Sequence, residues 1–361
     1  MPRKSQVKPV PAPKLHYEPR DPKRYSPPIG LIACGGITEW HLRAYKAAGY
    51  NVVALCDLIK QRAEKRRKEF YPDADVYTDY RRILDRDDIE VVDIATHPPE
   101  RLPIIRDALL AGKHVLSQKP FVLDLDAGQK LVDLARKQKV RLAVNQNGRW
   151  APHFSYIRSA IAAGLLGEIM GAHLSVHWDH NWVAGTRFDT VRHVILYDFA
   201  IHWFDILTCF MGAQSARRVY ASFTHAPKQR AKNALLGQAL IEYDHAQATL
   251  AFDANTPFGH QDRVYIDGTK ATITACATAP SPMEVKLYTA RGVATPELNG
   301  KWFPDGFHGT MGELLRAIEE NRQPSNSAEN NLRSLALCFA AVASAETHKS
   351  QIPGKVRKLM A

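Results

Sequence analysis

The stretch Ile29-Gly30-Leu31-Ile32-Ala33-Cys34-Gly35-Gly36-Ile37-Thr38 reads as a short apolar strand, a turn of small residues and the opening of a helix. Small residues there let the chain turn tightly, let main-chain N–H groups approach a pyrophosphate, and let the helix pack on its strand. The G-x-G-x-x-G positions fall on Ala33, Gly35 and Thr38, so only the middle glycine is kept. Context supplies what the pattern lacks. The next apolar run, Val52–Cys56, is followed by Asp57, 22 residues past Gly35. A carboxylate at that point accepts hydrogen bonds from an adenosine ribose and repels a 2′-phosphate, which favours NAD over NADP. Lys60 and Arg62, at the start of the following helix, pull the other way. Asp57 also suits the N-cap of that helix. Ala33, Gly35, Gly36, Ile37 and Asp57 are therefore the candidate cofactor residues at this turn.

Outward from the turn, short apolar runs recur at residues 29–33, 52–56, 91–95, 114–116 and 142–144, with amphipathic segments at 40–48, 61–70, 102–110 and 127–138 between them. This alternation predicts an α/β Rossmann domain with a doubly wound parallel sheet over residues 28–147. Past residue 147 the rhythm changes. A helical stretch at 154–163 and a strand-like run at 169–178 lead through an aromatic and polar loop, 179–192, to a long helix over 194–211. Period-two alternation then marks strands at 219–223, 239–243, 247–252, 263–266 and 271–274, with turn chemistry at Asp244-His245 and Asp267-Gly268. Two more helices, at 310–320 and 327–348, close a C-terminal α/β domain, 148–361, built on an open, mainly antiparallel sheet. An open sheet face is a natural interface, so a homodimer or homotetramer is expected.

The first 27 residues differ from everything after them. Residues 1–28 hold eight prolines, and seven Lys or Arg against Glu18 and Asp21, so they form a basic arm expected to be extended or disordered, or to lie on a neighbouring subunit. The arm accounts for much of the formal charge of +11. A second basic cluster, Lys60, Arg62, Lys65, Arg66, Arg67 and Lys68, lacks interleaved aromatics and reads as a solvated helix face, so no nucleic-acid partner is expected. No run is apolar enough to span a membrane, which predicts no membrane partner and a cytoplasmic address. The five cysteines are odd in number and scattered, as core thiols in a reducing compartment would be.

The chemistry-bearing residues lie farther along. Lys119 stands before Pro120, just after a strand-like run, where a nucleotide-binding sheet brings its strand ends to the cofactor. Asp198 and His202 are four apart on the long helix and would share one face, although a lone histidine on an apolar helix is more often a core group. Ala111-Gly112-Lys113-His114-Val115 closing on Lys119-Pro120, with D-x-x-x-H at Asp198 and His202, resembles the glucose–fructose oxidoreductase/inositol dehydrogenase (Gfo/Idh/MocA) family. The resemblance covers roughly residues 29–350. It extends to Ala95-Thr96, to Asn145-Gln146-Asn147-Gly148-Arg149 and to Trp302-Phe303-Pro304-Asp305-Gly306-Phe307. The sequence departs from the family pattern at Gln118 (commonly Glu), at Thr96-His97-Pro98 (Thr-Pro), at Arg101 (often His), and at Arg192-His193-Val194-Ile195-Leu196, where a glycine-rich stretch is usual.

The resemblance implies a catalytic triad of Lys119, Asp198 and His202. His202 would be the general base, Asp198 would hold its imidazole and favour the cation, and Lys119 would stabilise an oxygen becoming alkoxide-like. Thr96, Lys119 and Asn147 join the cofactor set. Lys119, Arg149, Trp178, Asp198 and His202 form the substrate set, with Trp150, His177, His180, Asn181, Trp182, Arg187, His193 and His308 as further candidates. Indole faces beside polar groups suit a carbohydrate or cyclic polyol. No metal is expected, since His177 and His180 lack a third ligand of convincing spacing. The implied reaction is hydride transfer between a sugar, glycoside or cyclic polyol hydroxyl and NAD(P). The rivals are redox-neutral glycoside cleavage or elimination on a retained NAD, which releases no NADH, and a non-catalytic sensor, which needs neither base nor alkoxide stabiliser.

Overall fold

The structure is a computed structural model that describes residues 8–278 and 283–360. Six strands, β1 (Ile29–Ile32), β2 (Val52–Cys56), β3 (Asp75–Tyr77), β4 (Val91–Ile94), β5 (His114–Gln118) and β6 (Leu142–Asn145), form a parallel sheet in the order 3-2-1-4-5-6. β1, β4 and β6 are buried along their whole length, and each is apolar but for Asp93 within β4 and Asn145 at the end of β6. Between them run α1 (Thr38–Ala47), α2 (Lys60–Phe70), α3 (Arg81–Leu84), α4 (Pro98–Leu110) and α5 (Leu125–Lys137). β3 has no counterpart in the sequence reading. It is three residues long, lies at the sheet edge and is only partly covered, so it carries no apolar signature.

The second sheet has eight strands: β7 (Ile169–His177), β8 (Arg218–Thr224), β9 (Leu236–Glu242), β10 (Gln247–Asp253), β11 (Gln261–Gly268), β12 (Ala271–Thr278), β13 (Glu284–Thr289) and β14 (Gly292–Ala294). Their order is 14-13-12-11-7-10-9-8, and every pairing is antiparallel except that of β7 with β10. Helices α6 (Pro152–Ala162), α7 (Ile201–Met211), α8 (Trp302–Glu319) and α9 (Ala328–Thr347) complete the chain. One face of the sheet is covered, while Tyr220, Leu240 and Tyr265 project from the other. Asp244-His245 is a hairpin turn, closed by Tyr243 N–H donating to Ala246 O at 3.0 Å. Asp267-Gly268 is not: both residues stay in β11, and the turn falls on Thr269-Lys270.

Two departures from the sequence reading shape the site. The helix expected over 194–211 is divided: Val194–Phe199 is a wide π-helical segment, and a regular helix starts only after Ala200. α8 returns to the first sheet, where its Phe307, Met311, Leu314 and Leu315 share a core with Leu42 and Tyr45 of α1. Glycines let it approach closely. A Cβ at Gly306 would lie 2.6 Å from Asn147 O, and one at Gly309 only 2.1 Å from Trp150.

The basic arm is extended from Lys8 onward and follows its own chain. Val10 N–H donates to Val293 O and Val293 N–H to Lys8 O, both at 2.9 Å, so the arm begins beside β14. Ser159 Oγ donates to His16 O at 2.8 Å. The Glu319 carboxylate then accepts three consecutive arm amides, from Lys23, Arg24 and Tyr25, at 2.8, 2.7 and 3.0 Å. Main-chain groups do this work, so the arm's charges and prolines conceal it.

Candidate active site

At the turn after β1, Ala33 adopts φ 75°, the left-handed conformation that a glycine takes without strain. Cys34 N–H donates to Asp57 Oδ2 and Ile59 N–H to Asp57 Oδ1, each at 2.8 Å. Ile59, not Asp57, caps α2, so Asp57 ties the two loops together rather than ending a helix. Among the described residues, the amides of Gly35, Gly36 and Ile37 have no acceptor, and nothing lies within 4 Å of a Cβ built on either glycine. Free amides at a helix N-terminus with open space before them make a seat for a pyrophosphate. Thr38, at the third glycine position, donates its hydroxyl to Gly35 O at 2.6 Å.

One member of the α2 basic cluster is not a solvated side chain. Arg66 is buried and reaches the carbonyls of Gly35 and Gly36 at 3.4 Å, held by Glu69 at 2.8 Å and Glu39 at 3.2 Å. Lys60 and Arg62 are exposed, as are the apolar side chains of Leu58 and Ile59 directly after Asp57.

Lys119 leaves the end of β5, and its Nζ donates to Asp198 O at 2.9 Å and to Asp198 Oδ2 at 3.1 Å. The wide turn around Val194–Phe199 presents both oxygens of Asp198 to the lysine. This changes the expected role of Asp198: its carboxylate holds Lys119, and no hydrogen bond joins it to His202 among the described residues. Nor is the imidazole favoured as a cation. Burial, reinforced by the Lys119 charge, holds the His202 pKa well below its ordinary value, and Nδ1 is buried without a partner. The ring is neutral at physiological pH.

An aromatic wall stands beside the pair. Trp178 stacks on His180 with centroids 6.0 Å apart, and Phe199 lies 4.1 Å from His180 and 5.6 Å from Trp178. Burial pushes His180 down to about 4 and leaves its Nδ1 unpartnered. Asp262 on β11, beside Trp178, has its carboxyl pushed up to about 7 by burial. The loop between β7 and the π-helical segment reaches back to α4, pairing Arg187 with Glu100 and setting Phe188 5.9 Å from His97.

Arg149 does not join this group. It is 2% exposed and clamps Asp205, 1% exposed, at 2.5 and 2.6 Å, with Ser325 O and the Asn330 side chain taking its other donors. A buried bidentate pair of this kind is a structural fastening, and it removes Arg149 from the substrate set. Asn147 is buried with Oδ1 accepting from Trp302 Nε1 at 2.7 Å. Thr96 keeps a buried, unpartnered hydroxyl. His177 bonds Asp253, His193 bonds Glu346, and His308 bonds Asp21, at 2.9, 2.8 and 2.7 Å. Trp150 lies under Arg158. No group of three or more His, Cys, Asp or Glu converges as a metal site among the described residues.

Support beneath Lys119 escaped the sequence reading. His41 and Asp93, both 0% exposed, are bonded at 2.6 Å, and Tyr45 OH donates to the same oxygen at 2.7 Å. The amides of Gln118 and Asn145 both reach His41 Nε2 at 3.2 Å, and Gln118 Oε1 accepts from Lys119 N–H at 2.7 Å. The buried Arg101, pushed down to about 10 by burial, donates to Thr96 O and to the carbonyls of Gln118 and Pro120 on either side of the lysine. Gln146, at the end of β6, has both amide atoms buried and unpartnered.

A family model described as oxidoreductase, NAD-binding Rossmann fold (GFO_IDH_MocA) matches residues 28–146, and that of the GFO/IDH/MocA C-terminal domain matches 154–274. The chain belongs to the Gfo/Idh/MocA family. It is 26% identical over 342 residues to the D-apiose dehydrogenase of Paraburkholderia graminis, covering 87% of this chain and 86% of that one. It is 30% identical over 201 residues to the inositol 2-dehydrogenase of Burkholderia multivorans, covering 54% and 58%. Among solved structures, an Agrobacterium radiobacter oxidoreductase in complex with NAD+, L-tartaric acid and magnesium superposes with a TM-score of 0.81 at 20% identity, covering 91% of this chain and 99% of that one. A levoglucosan dehydrogenase in complex with NADH and levoglucosan gives 0.78 at 20% identity, covering 91% and 100%; both likenesses establish the fold. As a Gfo/Idh/MocA protein, this is an NAD-binding oxidoreductase, and the free amides at Gly35–Ile37 with Asp57 beyond them fit that cofactor. No helix among the described residues is long and apolar enough to cross a membrane.

Proposed function

We propose that this protein oxidises a secondary or anomeric hydroxyl of a sugar, glycoside or cyclic polyol. The observation that carries the reading is the Lys119–Asp198 pair standing beside a neutral His202. The Gly35, Gly36 and Ile37 amides would hold the pyrophosphate of NAD, Asp57 the adenosine ribose, and Leu58 and Ile59 the adenine face. Thr96, Lys119 and Asn147 would flank the nicotinamide half. Bound NAD supplies the acceptor for the hydride, which leaves the carbinol carbon with its electron pair.

The protein's own part is to position the substrate and move one proton. With the ring proton assigned to Nδ1, His202 Nε2 accepts the hydroxyl proton as the C–H bond breaks. The Lys119 ammonium donates to the oxygen as it becomes a carbonyl and stays protonated throughout. Asp198 fixes the lysine and offers its remaining lone pairs to a neighbouring substrate hydroxyl. Trp178, Phe199 and Trp182 supply apolar faces for the C–H side of a sugar ring. Titration with NAD and NADP, followed by NADH production over a panel of aldoses, glycosides and inositols, tests the reading. NADH formed in proportion to product supports it. Substrate loss with no net NADH would replace it with the redox-neutral route, and binding without turnover would replace it with the sensor.

We also propose a homodimer or homotetramer through the uncovered sheet face around Tyr220, Leu240 and Tyr265, and a cytoplasmic setting for the five unpaired cysteines. A monomer by light scattering at micromolar concentration overturns the first.

A further inference from the structure

A cavity of about 560 Å³ lies apart from the site just described, and none of Asp57, Lys119, Asp198 or His202 lines it. Its wall is made by α6, by the C-terminal ends of α7 and α8, by α9, and by His16, Glu18 and Arg20 of the arm. Five arginines line it, Arg20, Arg149, Arg158, Arg316 and Arg333, against the acids Glu18 and Glu313. The pairing of these groups leaves cations over. Arg149 is taken by Asp205, Arg316 by Glu320 at 3.0 Å, and Glu313 is bound by Arg322 at 2.7 Å. Arg20, Arg158 and Arg333 have no carboxylate within 4.0 Å among the described residues.

Arg158 bears the largest imbalance. It is half-buried over the Trp150 ring at 5.4 Å and gives a single hydrogen bond, to Arg149 O at 2.7 Å. Burial together with the neighbouring Arg149 charge disfavours its cation. Arg333 is exposed and likewise gives one bond, to Gly212 O at 2.7 Å. A desolvated guanidinium with spare donors is stabilised most by an oxyanion, which takes charge and hydrogen bonds together.

We propose that this cavity binds a small, multiply charged oxyanion, a phosphate ester or a polycarboxylate, with Arg158 and Arg333 as its charged contacts and Arg20 of the arm closing over it. The site is independent of the oxidoreductase reading and uses none of its residues. Isothermal titration of the full chain with inorganic phosphate, and separately with citrate, tests it. NAD is present throughout so that the seat at Gly35–Ile37 is not read instead. The expected result is a dissociation constant on the order of 1 mM or tighter for one or both anions, weakened about 10-fold or more in Arg158→Gln and in Arg333→Gln. Because Arg333 is exposed, its variant keeps the fold even if Arg158→Gln does not, and thermal melts check both. Phosphate alone binding assigns a phosphate ester, and citrate alone assigns a polycarboxylate. No binding of either anion at about 20 mM, or binding unchanged in Arg333→Gln and in a folded Arg158→Gln, overturns the proposal.

Discussion

The cofactor end and the substrate end of the proposed site are built from different chemistry. At the cofactor end the donors are main-chain amides, and the carboxylate proposed for the ribose, Asp57, is fastened by two more of them. At the substrate end the groups are side chains, several of them buried with unpartnered atoms. A site made of backbone asks only that the chain reach its conformation, so Ala33 and Thr38 stand where glycines are usual. A site made of side chains asks for particular atoms. The cofactor motif was therefore faint in the sequence, whereas the lysine and histidine could be named once their motifs were matched to the family.

Loss of the proton acceptor should break the comparison most sharply. His202→Ala is expected to lower kcat by about 10²- to 10⁴-fold with NAD affinity nearly unchanged. Near-normal turnover on the true substrate would make His202 a core group and leave the substrate end without its base.

Lys119→Met should also reduce kcat, by about 10²-fold or more, since the developing oxyanion loses its donor. It carries a second readout with a definite sign. The Lys119 charge helps to hold the His202 pKa down, so removing it raises that pKa. A base works only when deprotonated, so the acid limb of the kcat/KM profile, below pH 6.5 in the parent, should move to higher pH. A limb that stays in place would mean that lysine and imidazole do not sense each other.

Asp57→Ala should act at the other end, weakening NAD by about 10-fold and relaxing discrimination against NADP while kcat changes little. Because Cys34 and Ile59 would lose their acceptor, the same variant should also cost about 1–2 kcal/mol of stability. Weaker NAD with an unchanged melting temperature would show that Asp57 serves the ribose alone.

The smallest effect is expected from Ala33→Gly. Relief of the left-handed strain, less the greater freedom of glycine in the unfolded chain, should raise stability by about 0.5–1 kcal/mol and leave turnover unaltered. A loss of stability in a denaturant melt would contradict the observed φ.

What the sequence made legible follows from the range over which each signal acts. Fully covered strands such as β1 announce themselves as apolar runs, while the edge strands β3 and β14, three residues each, lack the length to show a period. The π-helical segment looked like ordinary helix, because one extra residue in a turn leaves an apolar run apolar. Lys119, Asp198 and His202 were found through motif resemblance. Their partners were not: His41 meets Asp93 across 52 positions of chain and Gln118 across 77. Arg149 misled for the same reason, since nothing near it in sequence points to Asp205, 56 residues on.

The arm has a consequence for the order in which the protein is made. Two of its anchors, Val293 on β14 and Glu319 at the end of α8, leave the ribosome well after the third, Ser159 of α6, and all three follow Lys8 to Tyr25. During synthesis Ser159 of α6 is available to the middle of the arm well before the partners of its two ends emerge. The two ends of the arm thus gain their partners after its middle, and a nascent chain halted before β14 could hold His16 while Lys8 and Val10 still lacked theirs.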